Sequence, residues 1–475
     1  MPAGGLACGS MESSADLVVL GAGPAGLAAA WRAAQRGLSV IVLERTGAVG
    51  GMAASFEIAG IRVDQGSHRL HPTTPANVLA HLRRLLGSDL QTRRRNGRLR
   101  VAGRWVRFPL RATELATALP TGTLLGIGRD ALTSALRRPH DDTYADVLRA
   151  GLGPTLYDAV YGPYAVKLWG LAGDRIDGDQ ARRRVTANTP WKVAARAARG
   201  SREDAPGQFF YYPRRGFGQI VEALADAVAD EGGDIRLNAE VDRVEVTVDG
   251  ATAFTQDGDV VEARHAFSTI PLPVLARMTR PAPSLSDVES AGRLRFRAMI
   301  LVYLVHEGGR WTQYDAHYIP GPETPVTRVS EPANYRDSPD DRQDRSVLCA
   351  EVPCSMTEEL WAASDDELGH LVQEGLARVG LPPVRRAQVE VRRLGQVYPI
   401  YQVGYRDQLA GLDQWAMSLP TVTTFGRHGL FAHDNTHHAL VMAYDAVDAL
   451  SDDGYFDSLA WAAARERFAT HVVED

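Results

Sequence analysis

Asp16-Leu17-Val18-Val19-Leu20-Gly21-Ala22-Gly23-Pro24-Ala25-Gly26 is the stretch on which the reading of the whole chain turns. Asp16 to Leu20 is a short apolar run suited to a buried parallel strand. After the glycines come a helix-forming stretch from Leu27 to Arg36, a stop at Gly37, and a second apolar run from Leu38 to Leu43 closed by Glu44. The order is therefore strand, glycine turn, helix, strand, acid. Gly21 makes the tight turn, Gly23 lets the backbone approach a pyrophosphate, and Gly26 lets helix and strand pack closely. The helix N-terminus offers free N–H groups and a positive dipole end to phosphate. Glu44, 18 residues beyond Gly26, stands where a carboxylate can accept hydrogen bonds from ribose hydroxyls.

A second glycine pair follows the acid in Glu44-Arg45-Thr46-Gly47-Ala48-Val49-Gly50-Gly51-Met52, and then Gly60-Ile61-Arg62-Val63-Asp64-Gln65-Gly66-Ser67-His68-Arg69-Leu70-His71. At these residues the chain resembles the superfamily of FAD-dependent amine oxidases, protoporphyrinogen oxidases, phytoene desaturases and UDP-galactopyranose mutases. The resemblance implies FAD as cofactor and an α/β fold: a Rossmann-type, glutathione-reductase-like FAD-binding domain interleaved with an α+β substrate domain. It assigns contacts with the cofactor to Gly21, Gly23, Pro24, Ala25, Gly26, Glu44, Arg45, Gly50, Gly51 and Met52. Gly66, Ser67 and His68 join them, as does Val241 through its backbone at the adenine. So does Thr269, in the Thr269-Ile270-Pro271 segment that closes the dinucleotide domain. Near the C-terminus, Gly426, Arg427, Asn435, His437 and His438 are expected to hold the ribityl phosphate and the edge of the flavin ring. Relatives commonly carry tyrosine, aspartate and serine where this chain has His433, His437 and Ala439.

Composition bounds the rest. A chain of 475 residues suits two interleaved domains better than one. A net charge of −6 and a pI near 6.1 argue against a general nucleic-acid binder. Cys8, Cys349 and Cys354 have no metal-ligand spacing, and their scarcity fits a cytoplasmic setting. No metal site is expected, because the three histidines near residue 435 lack carboxylate or cysteine partners at ligand spacing. No apolar run is long enough to span a bilayer. Residues 1–14 read as a disordered leader, with Met11 as an alternative start. The FAD-binding domain is expected at 15–75, 208–275 and 415–475, a helical cap at 76–207, and an antiparallel-sheet part of the substrate domain at 276–414.

Along the chain, Asn77–Leu86 reads as an amphipathic helix and Leu99–Pro109 as a hairpin. Leu115–Arg138 reads as a helix broken at Pro120 and Gly122, taken as cap core because an amphipathic face normally buries inward. Tyr144–Trp169 is helical and ends in Tyr164-Ala165-Val166-Lys167-Leu168-Trp169-Gly170, a segment similar to one in UDP-galactopyranose mutases. There an arginine after a short spacer grips a nucleotide diphosphate. Lys167, Trp169 and Arg184 suit a phosphorylated or polyhydroxylated ligand, since guanidinium forks bind phosphate and aromatic faces stack on sugars. A solvated basic helix beside a core tryptophan explains the same residues equally well. Tyr212, in Phe209–Tyr212, is a further candidate for the substrate.

Two catalytic schemes compete. In the first, an oxidoreductase, a substrate C–H beside O or N delivers hydride to the flavin while His68 or His71 takes a proton, and O2 or another acceptor restores the flavin. In the second, a redox-neutral isomerase, reduced flavin attacks a sugar and Tyr398 and Tyr401 bind its diphosphate. A protein with the flavin fold but no catalysis is the remaining alternative, and the intact glycine segments weigh against it. The partner is a small-molecule substrate, and a homodimer is allowed.

Overall fold

The computed structural model describes residues 11–109, 119–184 and 208–473. It divides into two compact units. One comprises Met1–Gly51, Ile220–Arg293 and Arg406–Ala469, the other Met52–Gln219, Leu294–Tyr405 and Thr470–Asp475.

The first unit is built around the strand Glu12–Leu20. Its apolar half, Leu17 to Leu20, is buried on both faces, as a central parallel strand requires. Leu17 is in parallel register with Val40 on one side and with His265 on the other. Across the sheet the order is Thr279–Arg280, Val241–Val246, Ala251–Thr255, Val260–Ser268, Glu12–Leu20, Val40–Leu43 and Asp234–Arg236, and Val422–Thr424 also pairs with Val260–Ser268. Gly258, at φ +93°, turns the antiparallel hairpin between Ala251–Thr255 and Val260–Ser268. Val18, Leu20, Ile41, Val244, Val261 and Ala266 belong to the core over this sheet. Helix Pro24–Ala34 runs beside Thr436–Asp448, tied at its edge by Arg32 to Asp448 at 3.0 Å.

The second unit carries a seven-stranded sheet in the order Arg386–Ile400, Arg295–Glu307, Arg345–Cys354, Arg328–Ser330, Ala316–Tyr318, Gly97–Val101 and Arg104–Phe108. Every neighbouring pair is antiparallel except Ala316–Tyr318 with Gly97–Val101. Helix Asp365–Arg378 covers it through Leu368, Val372 and Leu376, and starts with a reciprocal Ser364–Glu367 capping box. A second core, among Tyr144, Leu148, Leu168, Trp169, Ile176 and Ala181, holds the helices Tyr144–Leu152, Gly162–Trp169 and Gly178–Arg184 together. No helix among the described residues is long and apolar enough to cross a membrane.

Several expectations need adjusting. The helix expected from Leu115 lies partly outside the described residues; its described part is Thr121–Leu132, and Gly122 sits within its first turn rather than breaking it. That helix buries only one side: Leu124 and Ile127 pack against Val101 and Val106, while Leu125 and Leu132 are exposed. Tyr144–Trp169 is interrupted at Gly153, whose φ of +97° ends the first helix. Phe209–Pro213 pairs with Leu90–Arg94, a partnership that no local pattern announces.

His265 gives this unit a pH dependence. It is 1% exposed, stacks on Phe456 with ring centroids 4.9 Å apart, and pairs through Nε2 with Thr423 Oγ1 at 2.9 Å. Burial pushes its pKa from 6.5 down to about 3. The unfolded chain therefore binds this proton first, and the contribution to stability is complete above pH 6.5 and lost as pH falls toward 3. At pH ~5 the loss is on the order of 2 kcal/mol. Urea unfolding at pH ~7 and ~5 should show a smaller pH slope for His265→Gln than for the natural chain; equal slopes would remove His265 from the account.

Candidate active site

The glycine turn is fixed by contacts that leave no space for side chains. A Cβ on Gly26 would lie 1.9 Å from the Gly21 carbonyl oxygen, and one on Gly21, at φ +104°, would lie 2.7 Å from Thr269 Oγ1. Thr269 is held there by donating from both N and Oγ1 to the Leu20 carbonyl, at 3.1 and 3.0 Å. Gly23 differs: a Cβ there would meet nothing within 4 Å. Its backbone faces open space at the start of helix Pro24–Ala34, where N–H groups and the dipole favour an anion.

The second glycine pair joins the same cradle. Gly50 N donates to the Ala22 carbonyl at 2.8 Å, and the Cβ direction of Gly51 passes 3.6 Å from Gly23 Cα. From the far end of the chain, the Cβ direction of Gly426, at φ +80°, comes within 3.2 Å of Ala25 Cβ. The carboxylate of Glu44 is 8% exposed; Oε2 accepts from Ala22 N at 2.9 Å, and Oε1 accepts from Thr46 N and Oγ1 at 3.0 and 2.7 Å. It fixes the turn. Ala239 N donates to the Glu44 carbonyl at 2.8 Å, which brings the entry to strand Val241–Val246 alongside. Thr46 is a member of this set that the spacing rules gave no reason to choose. Asn435 caps helix Thr436–Asp448, and its N–H donates to His438 Nδ1 at 3.2 Å. His433, His437 and His438 are all buried, with the rings of the last two 4.0 Å apart.

In the second unit, Ser67 pins the loop that carries His68. Its N donates to Glu351 at 2.9 Å, its carbonyl accepts from Arg328 at 3.1 Å, and its hydroxyl meets that of Tyr335. Arg69 donates to Tyr318, Tyr335 and Asp315 at 2.8, 3.1 and 3.2 Å. His68 stays partly exposed with one face on Phe217, ring centroids 5.2 Å apart and 23° from parallel. Arg184 lies over both Trp169 and Tyr398, at 5.2 and 5.4 Å, and those two rings meet edge to face at 5.6 Å.

Four sequence candidates have partners within the protein itself. His71 is 3% exposed, and its Nδ1 takes the Thr73 N–H at 3.2 Å, closing a local turn. Tyr212 is fully buried and donates to Asp64. Tyr401 is 2% exposed and stacks on Tyr405 at 4.2 Å. Lys167 commits its ammonium to the carbonyls of Ile319 and Val326, at 2.7 and 3.1 Å, and burial lowers its pKa to about 8. Its helical spacing beside Trp169 suggested a ligand, but the chain it actually clamps lies some 150 residues away.

A sheet with a parallel core and this doubled glycine cradle defines a dinucleotide-binding fold. The model of the flavin-containing amine oxidoreductases matches residues 24–442, and the chain belongs to that family. The cradle fits the FAD of that family: close-packed where the turn must hold, open at Gly23 where a pyrophosphate needs room. It is 28% identical to phytoene dehydrogenase of Streptomyces griseus over 290 residues, 56% of each chain, so the match spans little more than half that relative's length. Coproporphyrinogen III oxidase of Propionibacterium freudenreichii subsp. freudenreichii is 25% identical over 93% of this chain and 92% of its own. Among solved structures, reduced UDP-galactopyranose mutase superposes with a TM-score of 0.80 at 19% identity, covering 97% of this chain and 100% of that one. Putrescine oxidase bound to putrescine gives 0.62 at 18% identity, covering 92% and 99%.

The two glycines should separate experimentally. Gly23→Ala should keep the thermal stability within about 1 kcal/mol of the natural chain, because the site is open and φ is −77°. It should nevertheless weaken FAD binding, measured by fluorescence of released flavin, by about tenfold or more. Gly26→Ala should lose the fold before any question of affinity arises. Undiminished FAD binding in Gly23→Ala would mean that the pyrophosphate does not use this turn.

Proposed function

We propose that this protein dehydrogenates a small polar substrate at a C–H bond beside oxygen or nitrogen, with His68 as proton acceptor and Arg184, Trp169 and Tyr398 as the substrate's holding groups. Bound FAD supplies the two-electron acceptor, and O2 or another oxidant removes those electrons afterwards. The substrate's C–H pair leaves as hydride, its O–H or N–H proton passes to the imidazole, and a C=O or C=N bond is formed. The observation that carries the substrate side is the arginine laid over two aromatic rings. A guanidinium set among aromatic faces is a group suited to a carboxylate, a phosphate or paired hydroxyls. His68 carries the proton step because it is partly exposed, whereas His71 is buried and bonded within its own turn. The remaining cofactor contacts are proposed at Arg45, Met52, Gly66, Ser67, Val241, Arg427, Asn435, His437 and His438.

The same arginine and tyrosine also support a second reading, redox-neutral isomerisation of a sugar diphosphate by reduced flavin. Anaerobic mixing separates the two. Purified protein should be yellow, and an authentic substrate should bleach the oxidised flavin under dehydrogenation; turnover only after dithionite, without net bleaching, would sink it in favour of isomerisation. With such a substrate in hand, His68→Gln should slow flavin reduction by about 10²-fold or more. Arg184→Ala should raise KM by about tenfold or more while FAD content stays unchanged.

A further inference from the structure

We propose that Asp64 and the turn Gly216-Phe217-Gly218 form a positioning device for His68, in which Asp64 fixes the Phe217 backbone and the Phe217 ring fixes the plane of the imidazole. The inference rests on the reading of His68 as proton acceptor, and it adds residues that neither the glycine motifs nor the family match singles out.

Asp64 ends strand Ile61–Asp64 and is 1% exposed. A carboxylate this deep is costly unless its oxygens are met by donors. Oδ1 accepts from Phe217 N at 2.8 Å and from Ser55 Oγ at 2.7 Å, and Oδ2 accepts from the Tyr212 hydroxyl. Burial pushes the carboxyl's pKa upward, and these three donors pull it back toward the ionised form. Ser55 is shared: its Oγ also accepts from Gly218 N at 2.7 Å. The turn is thus stitched to Asp64 at residue 217 and to Ser55 at residue 218.

Close approach is what makes these bonds reachable. A Cβ on Gly216, at φ +94°, would sit 2.9 Å from Asp64 Oδ1, and one on Gly218 would sit 2.4 Å from Ser55 N. Only a turn bare on both sides of Phe217 can lie this near. Phe217 is then 0% exposed, wedged against Tyr212 on one side and carrying His68 on the other. The backbone beneath His68 is fixed by the same residue, since the Asp64 carbonyl accepts from Gly66 N and from the Tyr303 hydroxyl, both at 2.8 Å. Asp64 therefore reaches His68 twice, through the main chain of its own loop and through a ring stack brought in from residue 217. An aromatic face set against one side of an imidazole limits rotation about the ring's attachment.

The test uses the FAD-loaded full chain with ring-13C histidine, and the His68 resonance is identified by its loss in His68→Gln. Stacking on Phe217 should displace this resonance upfield. Phe217→Leu and Asp64→Asn should both return it toward the position of an unstacked histidine, while Tyr212→Phe, which leaves the Asp64–Phe217 bond intact, should lower stability and leave it in place. If Asp64→Asn yields no folded protein, Ser55→Ala breaks the adjoining clamp and should move the resonance in the same direction. An unmoved His68 resonance in Asp64→Asn, or in Ser55→Ala where that variant stands in, overturns the proposal. Reduction of the bound flavin with dithionite tests the underlying reading separately. A His68 resonance that ignores flavin reduction removes the histidine from the reaction while leaving the outcome of the Asp64 comparison to stand by itself.

Discussion

Backbone contact at the first turn is the constraint on which the rest of this molecule depends. Strand Glu12–Leu20 can pass into helix Pro24–Ala34 over so short a turn only because residue 26 presents nothing to the carbonyl of residue 21. That contact aims the helix N-terminus, with its uncapped N–H groups, at the open side of Gly23. The hydrogen bonds from Gly50 to Ala22 and from Ala22 to Glu44 then bring the second glycine pair and the acid to the same turn. An anion site made of main-chain groups is cheap to preorganise, because the fold has already restricted those dihedrals and no flexible side chain has to be ordered on binding.

The second unit solves a different problem, that of keeping many charges out of water. Arg69 with Asp315, Arg328 with Glu351 and Arg336 with Asp341 are ion pairs whose side chains are almost entirely enclosed. Such pairs gain little over an apolar core, and losing one partner typically costs about 3–5 kcal/mol because the other charge is stranded. Their use here is geometric. Arg328 and Glu351 hold Ser67 from both sides of its peptide, and Arg69 gathers Tyr318 and Tyr335 around the next turn. The loop that carries His68 is accordingly set by a network whose members all depend on one another.

What could be read from the sequence was whatever is written locally. The glycines and the apolar runs of Leu17–Leu20 and Val40–Leu43 lie within a few residues of what they contact. Period and spacing therefore report them faithfully, and the family resemblance rests on the same residues. Side-chain roles decided by distant partners were not legible. Lys167 looks like a ligand cation until the Ile319 and Val326 carbonyls are seen on its ammonium, and Tyr212 looks available until Asp64 is seen against its hydroxyl. Asp64 stood in plain view within the Gly60–His71 motif, but its main partner is 153 residues further on. The one signal that could have flagged that partner is the pair of glycines flanking Phe217, since two bare positions around one aromatic ring imply backbone pressed against backbone.

This division also bears on why the fold is so weakly tied to chemistry. Superposition on a mutase with a TM-score of 0.80 at 19% identity is attainable when the shared requirement is a handful of glycines and an alternation of buried residues. Those positions determine that a dinucleotide is held, and they are indifferent to what reaches its ring. The choice of reaction is left to side chains outside the cradle, where substitution does not endanger it. In the function proposed above, the side chains that decide it are the His68 imidazole, stacked on Phe217, and the Arg184 guanidinium, over Trp169 and Tyr398. A side chain braced by aromatic surface has less freedom left to lose when a ligand meets it.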